Sequence, residues 1–232
     1  MVATISAIGS SSQASSYYEA DDYYADGGVS PSAWQGEGAK QLGLVGEVGR
    51  ETFRDLLDGK LPDGQQLGTT RAGAIAHRPG WDVTMSAPKS VSIMAEVAGD
   101  RRLIAAHDRA VKTALGFAER HAAATRVRAD GSVERQATGN LAIASFRHNT
   151  SRAQDPQLHT HNVIMNMTRD ADGAWRSLEP RTLYQLQKAI GAIYRQELAL
   201  GVRALGYAIE KGKDSAFEIK GVSPDVIRAF SE

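Results

Sequence analysis

The sequence predicts an α+β domain built on a central, mainly antiparallel sheet backed by helices. Three observations lead there. Alternating runs such as WDVTMS (81–86), GNLAIASFRHNT (139–150) and QLHTHNVIMNMT (157–168) read as strands. The last two are joined around Asp155-Pro156 and are expected to pair as antiparallel neighbours. Long apolar-periodic stretches, about 100–125 and 180–205, read as helices, and strands and helices do not alternate as βαβ units.

In chain order, VATISAI (2–8) reads as a short strand. Ser12 to Ala20 is expected to be helical with serine capping, and the Asp-rich, Gly-terminated stretch after it irregular. PSAWQGEGAKQLGL (31–44) opens with proline and predicts a short helix weakened by its glycines. EVGRETFRDLLDG places Val48, Phe53, Leu56 and Leu57 on one helical face and stops at Gly59. Residues 60–79 read as connection, and WDVTMS as a strand. APKSVSIMAEVAG predicts a helix with an apolar face of Val91, Met94, Ala95 and Val97. The Ala-rich helix of 100–125 carries Leu103, Ile104, Val111, Leu115 and Phe117. TRVRADGSVERQATG predicts a hairpin turning at Asp130-Gly131. After the two long strands, DADG turns into a short strand in AWRSLEP, and one long helix is expected from Pro180 to Leu205. GYAIEKGKDSAFEIKG suggests a hairpin, followed by a helix from Ser223-Pro224. The sequence stops inside that helix, which suggests a piece of a longer protein.

Composition narrows the chemistry. The 232 residues are 42% hydrophobic and 23% charged, ordinary for a globular protein with a core. No apolar run approaches the roughly 20 residues of a membrane helix, so no membrane insertion is expected. Cysteine is absent, so disulfides and thiolate ligands are excluded and any metal must sit on nitrogen and oxygen. Twenty-seven Lys and Arg balance 27 Asp and Glu, so a nucleic-acid partner would need cations gathered on one surface.

Three histidines fall within fourteen residues: His148, His159 and His161. In a strand, residues two apart leave the same face, and His148 on the preceding strand can meet them across the hairpin. Three imidazoles converging from one side leave coordination positions open, as in a catalytic metal site. Histidines packed or solvated on a sheet face are the alternative. The other concentration of chemistry is Tyr17-Tyr18 and Tyr23-Tyr24, four of the seven tyrosines within eight residues. Their neighbours are too polar for all four to be buried. With a pKa near 10, a tyrosine nucleophile needs a base or a more reactive electrophile. A divalent cation supplies the second by drawing charge from a phosphoryl oxygen. Tyrosines beside such a site suggest transesterification of nucleic acid more than hydrolysis.

The segments ASSYYEADDYYA, SAWQGEGAKQLGL, DVTMSAPKSVS, FRHNTSRAQDPQLHTHNVIMNMT, DGAWRSLEP and IGAIYRQELALGVRALGY together resemble the relaxase domain of conjugative plasmids. This is the MobF, or TrwC/TraI, family within the HUH single-strand endonucleases. The resemblance covers almost the whole chain and implies a palm-like, helix-backed sheet over residues 1–232. It also implies that a C-terminal segment closing over DNA is incomplete here and that a helicase follows in the full protein. Carried over by position, Tyr17 matches the cleaving tyrosine and Tyr23 the second nucleophile, with Tyr24 the other candidate. His148, His159 and His161 match the metal ligands. Asp82 matches an acidic residue that orients a ligand histidine and takes the tyrosine's proton.

The activity implied is site- and strand-specific nicking at a plasmid transfer origin, with a 5′-phosphotyrosine adduct and later rejoining. The implied cofactor is one divalent metal ion (Mg, Mn or Zn), and imidazole also suits Ni and Cu. Implied partners are single-stranded origin-of-transfer DNA, the helicase region, accessory relaxosome proteins and a type IV secretion coupling protein. The implied location is the bacterial cytoplasm, with transfer to the recipient alongside the DNA. A replication initiator or transposase nuclease uses similar chemistry, and a non-catalytic DNA-binding module or a water-using metallohydrolase are readings of other classes. Arg71, Arg78, Lys89, Arg126, Arg147, Arg152 and Arg181 are candidates for DNA-backbone contacts or plain surface charges. Trp34, Trp81 and Trp175 are candidates for base stacking or core.

Overall fold

The computed structural model describes residues 3–12, 14, 31–71, 73–129, 131–212 and 216–231. In chain order it has β1 (Ala3–Ala7), β2 (Ser32–Gln35), α1 (Glu37–Gln41), α2 (Arg50–Leu57), β3 (Thr69–Arg71), β4 (Ala74–Ala76) and β5 (Gly80–Ser86). Next come α3 (Lys89–Glu96), α4 (Arg102–Ala122), β6 (Ala124–Ala129), β7 (Ser132–Ala137), β8 (Ile143–Thr150) and β9 (Pro156–Met165). The chain goes on through β10 (Thr168–Arg169), β11 (Trp175–Arg176), α5 (Arg181–Gln185), α6 (Gln187–Ala204), β12 (Ile209–Lys211), β13 (Phe217–Ile219) and α7 (Pro224–Ala229).

The main sheet has the order β1-β5-β9-β8-β2, and each of its pairings is antiparallel. Strand alternation divides its two faces. One carries Trp81, Val83, Met85, Ile143, Leu158 and Ile164 into a large core with α3, α4 and α6. The other carries Ala144, Phe146, Val163 and Met165 into a second cluster with Phe53, Leu56 and Leu57 of α2. The alanines of α4 let α6 pack closely: a Cβ on Gly201 would lie 3.0 Å from that of Ala106.

Several expectations need correction. The segment opening at Pro31 is first a strand, β2, and helical only over Glu37–Gln41. Proline suits a strand start at a sheet edge as well as a helix start, and pairing with β8 decides. The glycines of GEG also serve another end: a Cβ at Gly36 would lie 2.2 Å from the Leu141 carbonyl oxygen, so α1 rests on backbone. Residues 60–79 are mostly connection, as expected, and also hold a small hairpin, β3–β4. Val97 is not on an apolar face; it follows the end of α3 and is 54% exposed. The long helix is interrupted at Leu186 (φ −89°, ψ 2°), giving α5 and α6. Of the helix expected over Ser12–Ala20, only Ser12 and Ala14 lie among the described residues, and both are helical.

One buried group on the α4 side makes stability pH-dependent. His107 is fully buried, and burial pulls its pKa from 6.5 to about 3. The unfolded chain therefore takes up this proton near pH 6.5, whereas the folded chain does so only near pH 3. Stability is present above the unfolded value and is lost as pH falls through this window. The unfolding midpoint of metal-free protein is expected to drop between pH 6.5 and 4, and less steeply in His107→Gln. Equal slopes in thermal melts of the two proteins would refute this.

Candidate metal centre

The register of the central hairpin brings the three histidines together. His148 on β8 pairs with His159 on β9, and Phe146 pairs with His161, so all three imidazoles leave one face. Ring centroids lie 5.2 Å apart for His148–His159, 5.3 Å for His148–His161 and 5.1 Å for His159–His161. One nitrogen from each falls within 4.8 Å of the others. His148 and His161 are each 8% exposed, so the cluster is set into the sheet face.

Hydrogen bonds fix two of the tautomers. A carboxylate only accepts, so the 2.6 Å contact means that His161 Nδ1–H donates to Asp82 Oδ2. His159 Nδ1–H likewise donates to the Gln157 carbonyl, at 2.8 Å. In its neutral form each ring then carries its lone pair on Nε2. Asp82 reaches His161 from β5, where Thr84 stands opposite His161 in register. Thr84 Oγ1 donates to the same carboxylate oxygen at 3.2 Å. The other oxygen, Asp82 Oδ1, is buried and has no hydrogen-bond partner among the described residues.

Burial first, then His159 and His161, pulls the His148 pKa down to about 3. Burial also lowers that of His159. Both rings are neutral at pH 7, the form that ligates metal. Three imidazole nitrogens on one side, with a carboxylate behind one of them, fit a divalent ion that keeps open positions.

The chain matches the family model described as TrwC relaxase over residues 11–232. The chain belongs to the TrwC relaxase family. It is 44% identical over 239 aligned residues to the multifunctional conjugation protein TraI of Escherichia coli strain K12, covering 98% of this chain and 13% of TraI. A metal-bound structure of conjugative relaxase TrwC in complex with oriT DNA superposes with a TM-score of 0.90 at 44% identity, covering 99% of this chain and 79% of that one. A copper-bound TrwC–oriT complex gives 0.88 at 45% identity, covering 99% and 78%. A metal-free complex gives 0.89 at 42%, covering 99% and 79%. The chain thus spans only 13% of its curated relatives' length.

For this member of the TrwC relaxase family, the structure brings together His148, His159, His161 and Asp82. Tyr17, Tyr18, Tyr23 and Tyr24 lie outside the described residues. The chain ends flanking them are placed. Ala14 is buried in the cluster on the histidine face, and the Pro31 carbonyl accepts from Arg147 N, next to His148.

The basic candidates separate. Lys89 donates to the Pro156 carbonyl at 3.2 Å, and exposed Arg152 sits in the β8–β9 connection, both at the histidine end. Arg147 departs from expectation. Strand alternation turns it to the opposite face, where it pairs with Asp108 of α4 at 2.6 Å. Exposed Arg78 precedes Gly80, which pairs with Met165 at the far end of the sheet. Exposed Arg126 and Arg181 belong to the same far end, where Ala124 O accepts from Glu179 N beside them. Arg71 ends β3, and its side chain is outside the described set. Trp81 and Trp175 are core, at 1% and 8% exposure, which leaves Trp34 as the part-exposed tryptophan.

Sequence reading passed over Thr84, Gln157, His107, Thr160 and Tyr194. The alternation of WDVTMS already puts Thr84 on the face of Asp82. His107 falls on the apolar stripe of Leu103, Ala110 and Ala114, and a histidine in such a stripe is the signal that was available.

Proposed function

We propose that this chain is the strand-transfer domain of a conjugative relaxase, nicking one strand of transfer-origin DNA and later rejoining it. What carries this reading is the convergence of His148, His159 and His161, backed by Asp82, in a chain 44% identical to a metal-bound relaxase–oriT DNA complex. The three histidines hold one divalent cation, which when bound draws charge from a phosphoryl oxygen and favours attack at phosphorus.

Tyr17 is assigned as the nucleophile. Its oxygen forms a bond to the scissile phosphorus while the bond to the 3′ oxygen breaks. The products are a 5′-phosphotyrosine and a free 3′ hydroxyl. One phosphodiester replaces another, so the hydroxyl can reverse the step without an external energy source. Asp82 Oδ1, buried and without a partner among the described residues, is the atom assigned to take the phenolic proton. Tyr23 or Tyr24 would serve a second transfer, with Tyr18 beside the first nucleophile. Lys89 and Arg152 are assigned to the DNA backbone near the site, and Trp34 to base stacking.

Residues 1–232 would form the relaxase unit of a longer protein carrying a helicase. TraI is described as multifunctional, and this chain matches 13% of it, which supports that arrangement. Relaxosome proteins and a secretion coupling protein are its proposed partners, and the bacterial cytoplasm its location. No described helix is long and apolar enough to cross a membrane. The test is a denaturing gel after incubation with single-stranded oriT oligonucleotide and manganese. A protein–DNA adduct is expected. Cleavage without an adduct points to hydrolysis, and binding without cleavage to a non-catalytic module; either overturns the reading.

A further inference from the structure

Directly behind the histidines, on the α4 side of the sheet, lies a line of buried polar groups. Thr160 sits between His159 and His161 in β9, so its side chain leaves the opposite face. There His107 Nε2 lies 2.7 Å from Thr160 Oγ1, and His107 Nδ1 lies 2.8 Å from Tyr194 Oη. His107 and Tyr194 are 0% exposed and Thr160 4%. The line joins α4, β9 and α6, and each polar side-chain atom in it has a hydrogen-bond partner.

Leucine, valine and phenylalanine would fill such a core without the cost of desolvating three polar groups. A hydrogen-bonded buried network instead fixes one arrangement of the elements it joins. Register along β9 is already set by β5 and β8 on its two sides. Those ladders leave the strand's displacement perpendicular to the sheet, and its local pleat, to the packing behind it. A hydrogen bond is directional where apolar packing is not. Thr160 is one residue, about 3.8 Å between Cα atoms, from each histidine of β9. Metal ligands need placement within roughly 0.5 Å.

We propose that His107 is a positioning residue for the metal centre: by holding Thr160 it fixes the pleat of β9 and so keeps His159 and His161 at ligating spacing. The inference rests on the proposed role of the three histidines as ligands. Burial keeps His107 uncharged, so one ring nitrogen donates and the other accepts, which matches hydroxyl groups on both sides.

The test uses the chelator-stripped chain, titrated with cobalt(II) and read by calorimetry and by the visible absorption of the bound ion. Thermal melts without metal report stability separately. Thr160→Val, nearly isosteric, and His107→Leu are expected to weaken cobalt binding about tenfold and to alter the absorption bands, as losing an outer partner of a ligand does. His107→Gln, whose amide can still reach Thr160, is expected to recover most of the affinity. Tyr194→Phe, at the far end of the line, should lose less than Thr160→Val. If His107→Leu does not fold, Thr160→Val carries the test. Variants that melt earlier yet bind cobalt within twofold of wild type, with unchanged absorption, overturn the proposal and leave a purely structural network. Failure of wild type itself to bind cobalt overturns the ligand reading, and this inference with it.

Discussion

Tyr17→Phe is expected to leave no covalent protein–DNA adduct while binding the oriT oligonucleotide as wild type does. Phenylalanine keeps the ring and removes only the oxygen that would bond to phosphorus, so the effect falls on chemistry. A water molecule admitted in its place would yield a free 5′ phosphate, which the same gel resolves from an adduct. Tyr18→Phe should retain the adduct, and so should Tyr23→Phe and Tyr24→Phe in a single-cleavage assay, since they are assigned to a later transfer. An undiminished adduct in Tyr17→Phe would move the nucleophile to another residue of the cluster and leave the relaxase reading standing.

The second large effect is on metal retention. Asp82→Ala removes the acceptor of the 2.6 Å bond from His161 Nδ1–H. Without that carboxylate the imidazole is no longer held in the tautomer that presents Nε2, and its basicity falls. Loss of such a partner typically costs 10–100-fold in metal affinity. Calorimetric titration with manganese or zinc is expected to show a loss of about that size. Thr84→Val, which removes a hydroxyl donated to the carboxylate, should lose much less. A dissociation constant for Asp82→Ala within twofold of wild type would show that Asp82 does not orient the ligand. Asp82 also carries the proposed proton-accepting oxygen, so its strand-transfer rate should fall further than metal loss explains when the ion is saturating.

How much of this was legible in the sequence follows the range of the interactions involved. The histidine cluster was legible because two short-range rules place it: alternation along β9 and the turn that sets β8 against it. Asp82 became legible only through family resemblance, since the β5–β9 pairing that brings it to His161 spans 79 residues. The β2 strand was misread because a four-residue edge strand owes its form to β8, while Pro31 and the residues after it locally suit a helix start. Arg147 was misplaced by counting nearness along the chain: one residue from His148 in a strand means the opposite face. His107 went unnoticed because its partners lie 53 and 87 residues away and nothing local marks them.

The sheet order carries one more consequence. Strands β1 and β2 occupy its two opposite margins, so the chain between them has to pass from one margin to the other. Doubling the length of a connection costs only about 0.6 kcal/mol in closure entropy. The histidines are placed by the β5–β9 and β8–β9 pairings, so a change in the length of the tyrosine spacer is expected to leave those ladders intact. A variant with two residues inserted between Tyr18 and Tyr23 is therefore expected to keep its metal affinity.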